Sequence, residues 1–274
     1  MAEENERVSE EAEAEERSAP SGRIVYKAIV SEGEEELARP SSALFWSGLA
    51  AGLSMGFSMI AEALLTSHLP RESWAPLVTK LGYSVGFLVV ILGRQQLFTE
   101  NTLTPILPLL QHKTLKTLRN VARLWSVVLV ANLIGAMLVA LVAAKTSAFE
   151  PETQSVFAEL GREALQPGFA TIMLRGVFAG WLIALIVWLL PFAESARVGV
   201  IVIITYVIGL GHFSHVIAGA VVAFTTALLG AASWGEVLGG FMAPCLLGNI
   251  VGGVILVAAL NHGQVVAGRE DQPL

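Results

Sequence analysis

Residues 198–229 form an apolar stretch interrupted once, by Gly211-His212-Phe213-Ser214-His215, and that interruption limits what the whole chain can be. Val198 to Leu210 before it and Val216 to Leu229 after it are rich in Val, Ile and Ala. Together they are long enough to cross a bilayer, which takes roughly 20 residues. His212 and His215 therefore fall near the middle of a span. An ionisable group there is costly and by default marks a path for a solute or ion. His215 reads as the centre of a pore.

The rest of the chain fits that setting. It is 54% hydrophobic and 15% charged, with mean hydropathy +0.65, the profile of a polytopic membrane protein. Six spans are expected: Ser42 to Leu65, Pro76 to Leu110, Leu118 to Ala144, Phe169 to Phe192, Val198 to Leu229 and Val237 to Leu260. The second and fifth are too long for one clean span. The second breaks at residues 94–101 (RQQLFTEN), the fifth at Gly211 to His215. Non-helical backbone survives at membrane depth only where protein buries it or where it lines a cavity. A pair of broken helices in corresponding positions points to a transport site.

The two halves also echo each other. Ala131-Asn-Leu-Ile-Gly135 resembles Gly248-Asn-Ile-Val-Gly252 at an offset of 117, and Thr99 precedes His215 by 116. Three spans per repeat is an odd number, so the repeats would insert in opposite orientations. The expected fold is all-α, six transmembrane helices in two inverted three-helix repeats. Gly48/Gly52/Gly56, Gly176/Gly180 and Gly248/Gly252 recur every four residues and suit close helix packing in lipid.

Charge sets the orientation. Residues 1–39 carry 12 Asp/Glu against 5 Lys/Arg; the remaining 235 carry 11 against 12. The net charge of −6 is thus a property of the tail, and no nucleic-acid surface is indicated. Residues 1–22 are expected to be disordered, and 23–39 to form a helix along the membrane surface, ending at Arg39-Pro40. The organisation is a 1–39 tail, a 40–262 transmembrane channel domain and a 263–274 tail. Lys113, Lys116, Arg119 and Arg123 cluster after the second span and Arg197 follows the fourth, so both termini are expected in the cytoplasm. The acidic N-terminus does not read as a cleavable signal; the first span would act as an anchor. Cys245 is the sole cysteine, which excludes an intrachain disulfide and a cysteine metal cluster. No nucleophile–base pair or phosphate loop appears, so an enzyme, a cofactor and a metal site are not expected.

Leu97-Phe98-Thr99, Phe213-Ser-His215-Val-Ile-Ala218 and Gly248-Asn249-Ile-Val-Gly252-Gly253 together resemble the formate/nitrite transporter family over residues 42–262. The resemblance implies an aquaporin-like fold and a homopentamer in the cell (inner) membrane. It also implies one pore per protomer, passing small monovalent anions such as formate, nitrite or hydrosulfide. His215 matches the family's central histidine, Thr99 the threonine facing it, and Asn249 the asparagine of the sixth helix. Tyr83, Phe87, Leu97, Phe98 and Ile208 fall where the family places apolar constrictions, next to Phe213. The chain departs from the pattern at Ser214, Gly219, Gly180 and Arg94-Gln95-Gln96, and His212 takes a glycine position.

A pore for an anion must offset the cost of charge at the bilayer centre, about 2.5–3.5 kcal/mol on insertion scales. Half-helix N-termini offer unpaired N–H groups, and a histidine offers a proton that turns the anion into a neutral acid. His215 is expected to be neutral at rest and to share a proton with the anion, with Thr99 hydrogen-bonding the same solute. Ser214 and His212 are placed in the pore beside it. Arg94 either pairs with Glu100 or draws anions to one vestibule; Arg175 either snorkels toward the outer surface or lines a vestibule. Asn132 and Asn249 are expected to bond the broken backbone. The alternative function is a channel for a neutral solute such as water, ammonia or a small alcohol. A third is a membrane sensor that uses the acidic tail.

Overall fold

The computed structural model describes residues 21–270, and among these the regular structure is all helical, with no strand. Of residues 1–22, where disorder was expected, 1–20 lie outside the described part, as do 271–274, while Ser21 takes the N-cap position of the first helix and Gly22 opens it. The helices are α1 Gly22–Ala38, α2 Ser41–His68, α3 Ala75–Thr79, α4 Tyr83–Leu92, α5 Ile106–His112, α6 Leu115–Lys145, α7 Pro151–Leu165, α8 Phe169–Leu189, α9 Arg197–Leu210 and α10 Val216–Leu228. A last long run follows. It holds a π-helical turn at Glu236–Met242, α11 Ala243–Val251, a second π-helical segment at Gly252–Ala259 and α12 Leu260–Glu270. The residues read as a C-terminal tail from 263 thus continue this helix to Glu270.

Among the described residues five helical runs are long and apolar enough to cross a membrane: Ser41–His68, Ala75–Leu92, Leu115–Lys145, Phe169–Phe192 and Glu236–Val265. The expected fifth span is different. It arrives as α9 and α10, each too short to cross alone, separated by residues 211–215. The expected second span likewise stops at Leu92 and resumes only as the seven-residue α5.

Small residues bring the helices together. α2 lies along α6, and α11 along α8. A Cβ on Gly52 would strike the Asn132 carbonyl oxygen, and one on Gly180 would strike that of Asn249. On the other side of the second contact, Gly248 and Gly252 abut the carbonyl oxygens of Met173 and Val177. Backbone-to-backbone approach of this kind is what holds helices in lipid, where burying apolar surface offers no gain. The outward faces carry Leu138, Leu141, Leu174, Ile203 and Val207, all exposed, and these suit hydrocarbon.

α1 was expected to lie on the membrane surface. In the structure Tyr26, Ile29, Val30 and Leu37 are buried in the core cluster, and α1 lies against α5. Glu36 anchors it to the loop after α4. Its carboxylate accepts from Gln96 Nε2 at 2.8 Å and from the Thr104 hydroxyl. Burial pushes the Glu36 carboxyl up to about 7, against the pull of those two hydrogen bonds.

Candidate functional site

The site is built from two helix breaks made in the same way. At the first, the Arg94 N–H donates to the Ile91 oxygen at 3.2 Å and the Gln95 N–H to Val90 at 3.0 Å. At the second, the His212 N–H donates to Gly209 at 3.2 Å and the Phe213 N–H to Ile208 at 3.0 Å. This is the Schellman pattern that ends a helix in a left-handed residue. Arg94 (φ 49°) and His212 (φ 50°) hold that left-handed position. Glycine is the usual residue there, and a side chain costs about 1–2 kcal/mol.

Past each turn an asparagine from a packed helix catches the chain. Asn132 Oδ1 accepts from the Phe98 N–H at 2.9 Å, while its Nδ2 donates to Gln96 O at 2.9 Å and Gly48 O at 2.7 Å. Asn249 does the same with the Val216 N–H at 2.8 Å, Ser214 O at 2.8 Å and Gly176 O at 2.9 Å. All three bonding groups of each amide go to backbone. Asn249, matched by the resemblance to the sixth-helix asparagine and assigned with His215 and Thr99 to the substrate pore, thus has its whole amide engaged in holding the break.

The two held loops bring Thr99 and His215 together. Thr99 Oγ1 lies 2.7 Å from His215 Nε2, and both residues are buried. His215 is also the N-cap of α10: its Nδ1 accepts from the Ala218 N–H at 3.2 Å. In the neutral ring an accepting Nδ1 leaves the proton on Nε2, which then donates to Thr99 Oγ1. The threonine's own hydroxyl hydrogen is left to be given to a third party.

Apolar groups close over this pair. Phe87 meets the His215 ring edge-on with centroids 4.9 Å apart, and Tyr83 tilts against Phe87 at 5.3 Å. Leu97, Phe98 and Ile208 are buried, and Phe98 turns its ring to Trp125 on α6 at 5.7 Å. Phe213 stacks on Phe178 of α8 at 5.1 Å. A cavity of about 100 Å³ opens on the His212 side, lined among others by Tyr83, Arg175, Ile208, His212, Phe213, Ser214 and His215. Thr99, Phe87, Leu97, Phe98, Asn249 and Arg94 lie off its wall.

Arg94 does not pair with Glu100. It faces Glu32 of α1 at 3.8 Å, because its left-handed backbone turns it outward, where both side chains are exposed. Arg175 lines the cavity wall. Sequence reading missed Glu62, Lys80 and Glu163, which share that wall. Lys80 Nζ lies 2.6 Å from Glu62 Oε1 and 4.0 Å from Glu163, and His212 Nδ1 is 3.3 Å from Glu163. Glu62 had a usable signal: an acid within the first apolar run is a functional hypothesis by default.

The formate/nitrite transporter family model matches residues 23–263. This chain belongs to that family. Its relatives include the inner membrane protein YfdC of Escherichia coli, 36% identical over 92% of this chain and 81% of that one. A probable formate transporter of Methanothermobacter thermautotrophicus is 27% identical over 77% of this chain and 84% of its own length. Two solved structures share the fold. One is described as an FNT family ion channel (TM-score 0.78, 17% identity, 89% of this chain and 98% of that one). The other is a pentameric formate channel with formate bound (TM-score 0.68, 20% identity, 82% and 98%). Membership of this transporter family and the apolar helices make the chain a multi-pass membrane protein.

Proposed function

We propose that the chain is a channel or proton-coupled carrier for small monovalent weak-acid anions such as formate, nitrite or hydrosulfide. One observation carries the reading: the buried Thr99–His215 hydrogen bond at 2.7 Å, set where two broken helices meet. Nε2–H donates to Thr99, and Thr99 donates to the anion that arrives. A proton taken from water on the entry side passes onto the anion held by this relay. The neutral acid crosses the apolar constriction and gives the proton back to water beyond it, and His215 ends as the same neutral imidazole. The cost of bare charge in hydrocarbon is thereby avoided.

The same reading takes the five apolar runs and the α9–α10 pair as six spans in two inverted repeats. The matching Schellman turns and asparagine clamps support it. It places α1, the 113–123 basic cluster and both termini in the cytoplasm, so the His212 cavity faces outward. By likeness to the pentameric formate channel, it assembles protomers into a homopentamer with one pore each.

Uptake of formate, nitrite, hydrosulfide and lactate into proteoliposomes at two pH values tests it, with H215N alongside. Selective flux that rises at acid pH and collapses in H215N is expected. Absence of anion flux, with water or ammonia permeability intact in both proteins, would overturn it in favour of a neutral-solute channel.

A further inference from the structure

The cavity beside His212 is walled by Ser58, Phe213, Ala218 and Phe241 and carries Glu62, Lys80, Glu163 and Arg175. Its carboxylates are already committed. Buried Glu62 takes Lys80 at 2.6 Å; Glu163 is shared between Lys80 at 4.0 Å and His212 at 3.3 Å. Arg175 stands apart. It is the seventh residue of α8 and only partly exposed. Among the described residues, no ion pair or side-chain hydrogen bond holds its guanidinium. A cation so placed on a partly apolar wall is under-compensated, and an entering anion would relieve it.

We propose that this cavity is an anion-binding site centred on Arg175, ahead of the Thr99–His215 hydrogen bond, in which Arg175 selects planar anions with two coplanar oxygens, carboxylates or nitrite, over hydrosulfide or halide. The inference rests on the anion-pathway reading and sharpens its substrate class. A guanidinium presents its N–H groups in a rigid planar fork that matches two oxygens at once, whereas an ammonium is a point charge without that preference. Lys80 is held between two carboxylates and cannot stand in for it. The volume, about 100 Å³, leaves room for an anion of a few heavy atoms, since by the same measure one water needs roughly 10–15 Å³. His215 lies on the same wall, so an anion leaving Arg175 meets the imidazole next.

The test measures half-saturation for formate and for hydrosulfide in proteoliposomes at one pH, for the full chain and for R175K and R175Q. In R175K the formate value should rise about tenfold relative to the hydrosulfide value, the loss of one charge-assisted hydrogen bond. Both values moving by one factor, or neither moving, would refute selection by the fork. Melting of the detergent-solubilised protein is the second readout. Formate should raise Tm in the full chain and in H215N but not in R175Q; an equal rise with formate and chloride in the full chain would also refute it. A full chain that passes neither anion removes the pathway reading instead, while a formate-specific rise in Tm lost in R175Q would still uphold the site.

Discussion

Thr99 and His215 are the two side chains whose chemistry depends most on each other. Removing the hydroxyl in T99A leaves the Nε2–H of His215 without its acceptor in a buried setting, a penalty of about 1–3 kcal/mol. Anion flux should fall at least tenfold in T99A and stay within a few-fold in T99S, as read by uptake in proteoliposomes. Glu36 titrates near the physiological range. Its carboxyl rises from 4.5 to about 7 when α1 is docked, so the docked form binds a proton that the free helix releases. Docking is therefore strongest below pH 4.5 and weakens as pH rises through 7. Hydrogen exchange at α1 should be slower at pH 5 than at pH 8, and E36Q should flatten the difference.

Each broken helix depends on one amide from another helix. N132L or N249L would leave a buried N–H and one buried loop carbonyl without partners, since Gly48 and Gly176 lie within helices whose carbonyls keep their own ladder bonds, at about 2 kcal/mol or more in total. Detergent melting should drop clearly for both, and more than for a substitution on an exposed face. The α8–α11 contact admits a matched pair of changes. G248A drives a methyl into the Met173 carbonyl, while Gly239 has nothing within 4 Å of its would-be Cβ. G248A should destabilise and G239A should not. The π-helical segments on either side of α11 have no sequence signature that we can identify, although Asn249 lies between them.

Across the entire chain, sidedness is the point most open to measurement. Cys245 is buried and is the sole cysteine, so introduced cysteines can be read without a competing thiol. In oriented vesicles, S195C between α8 and α9 should label from the cytoplasmic side and S233C after α10 from the opposite side. Labelling of both from one side would overturn the proposed topology.

Hydrophobic run length, glycine spacing and the two polar interruptions were enough to indicate a helical membrane body and the positions of both breaks. These are local properties: a span must be about 20 apolar residues long whatever packs beside it, and a break must carry polar or glycine residues to be tolerated. The family motifs added Thr99, His215 and Asn249. What lay beyond reach were contacts between residues distant in sequence. Glu62 and Lys80 pair across 18 positions, Gln96 reaches Glu36 across 60, and Arg94 goes to Glu32 rather than to its near neighbour Glu100. Which carboxylate meets which cation depends on where the helices cross and on which way a left-handed turn throws a side chain. Only the packed molecule decides that, because the energy of a charge pair depends on distance and burial, and neither is a property of sequence spacing.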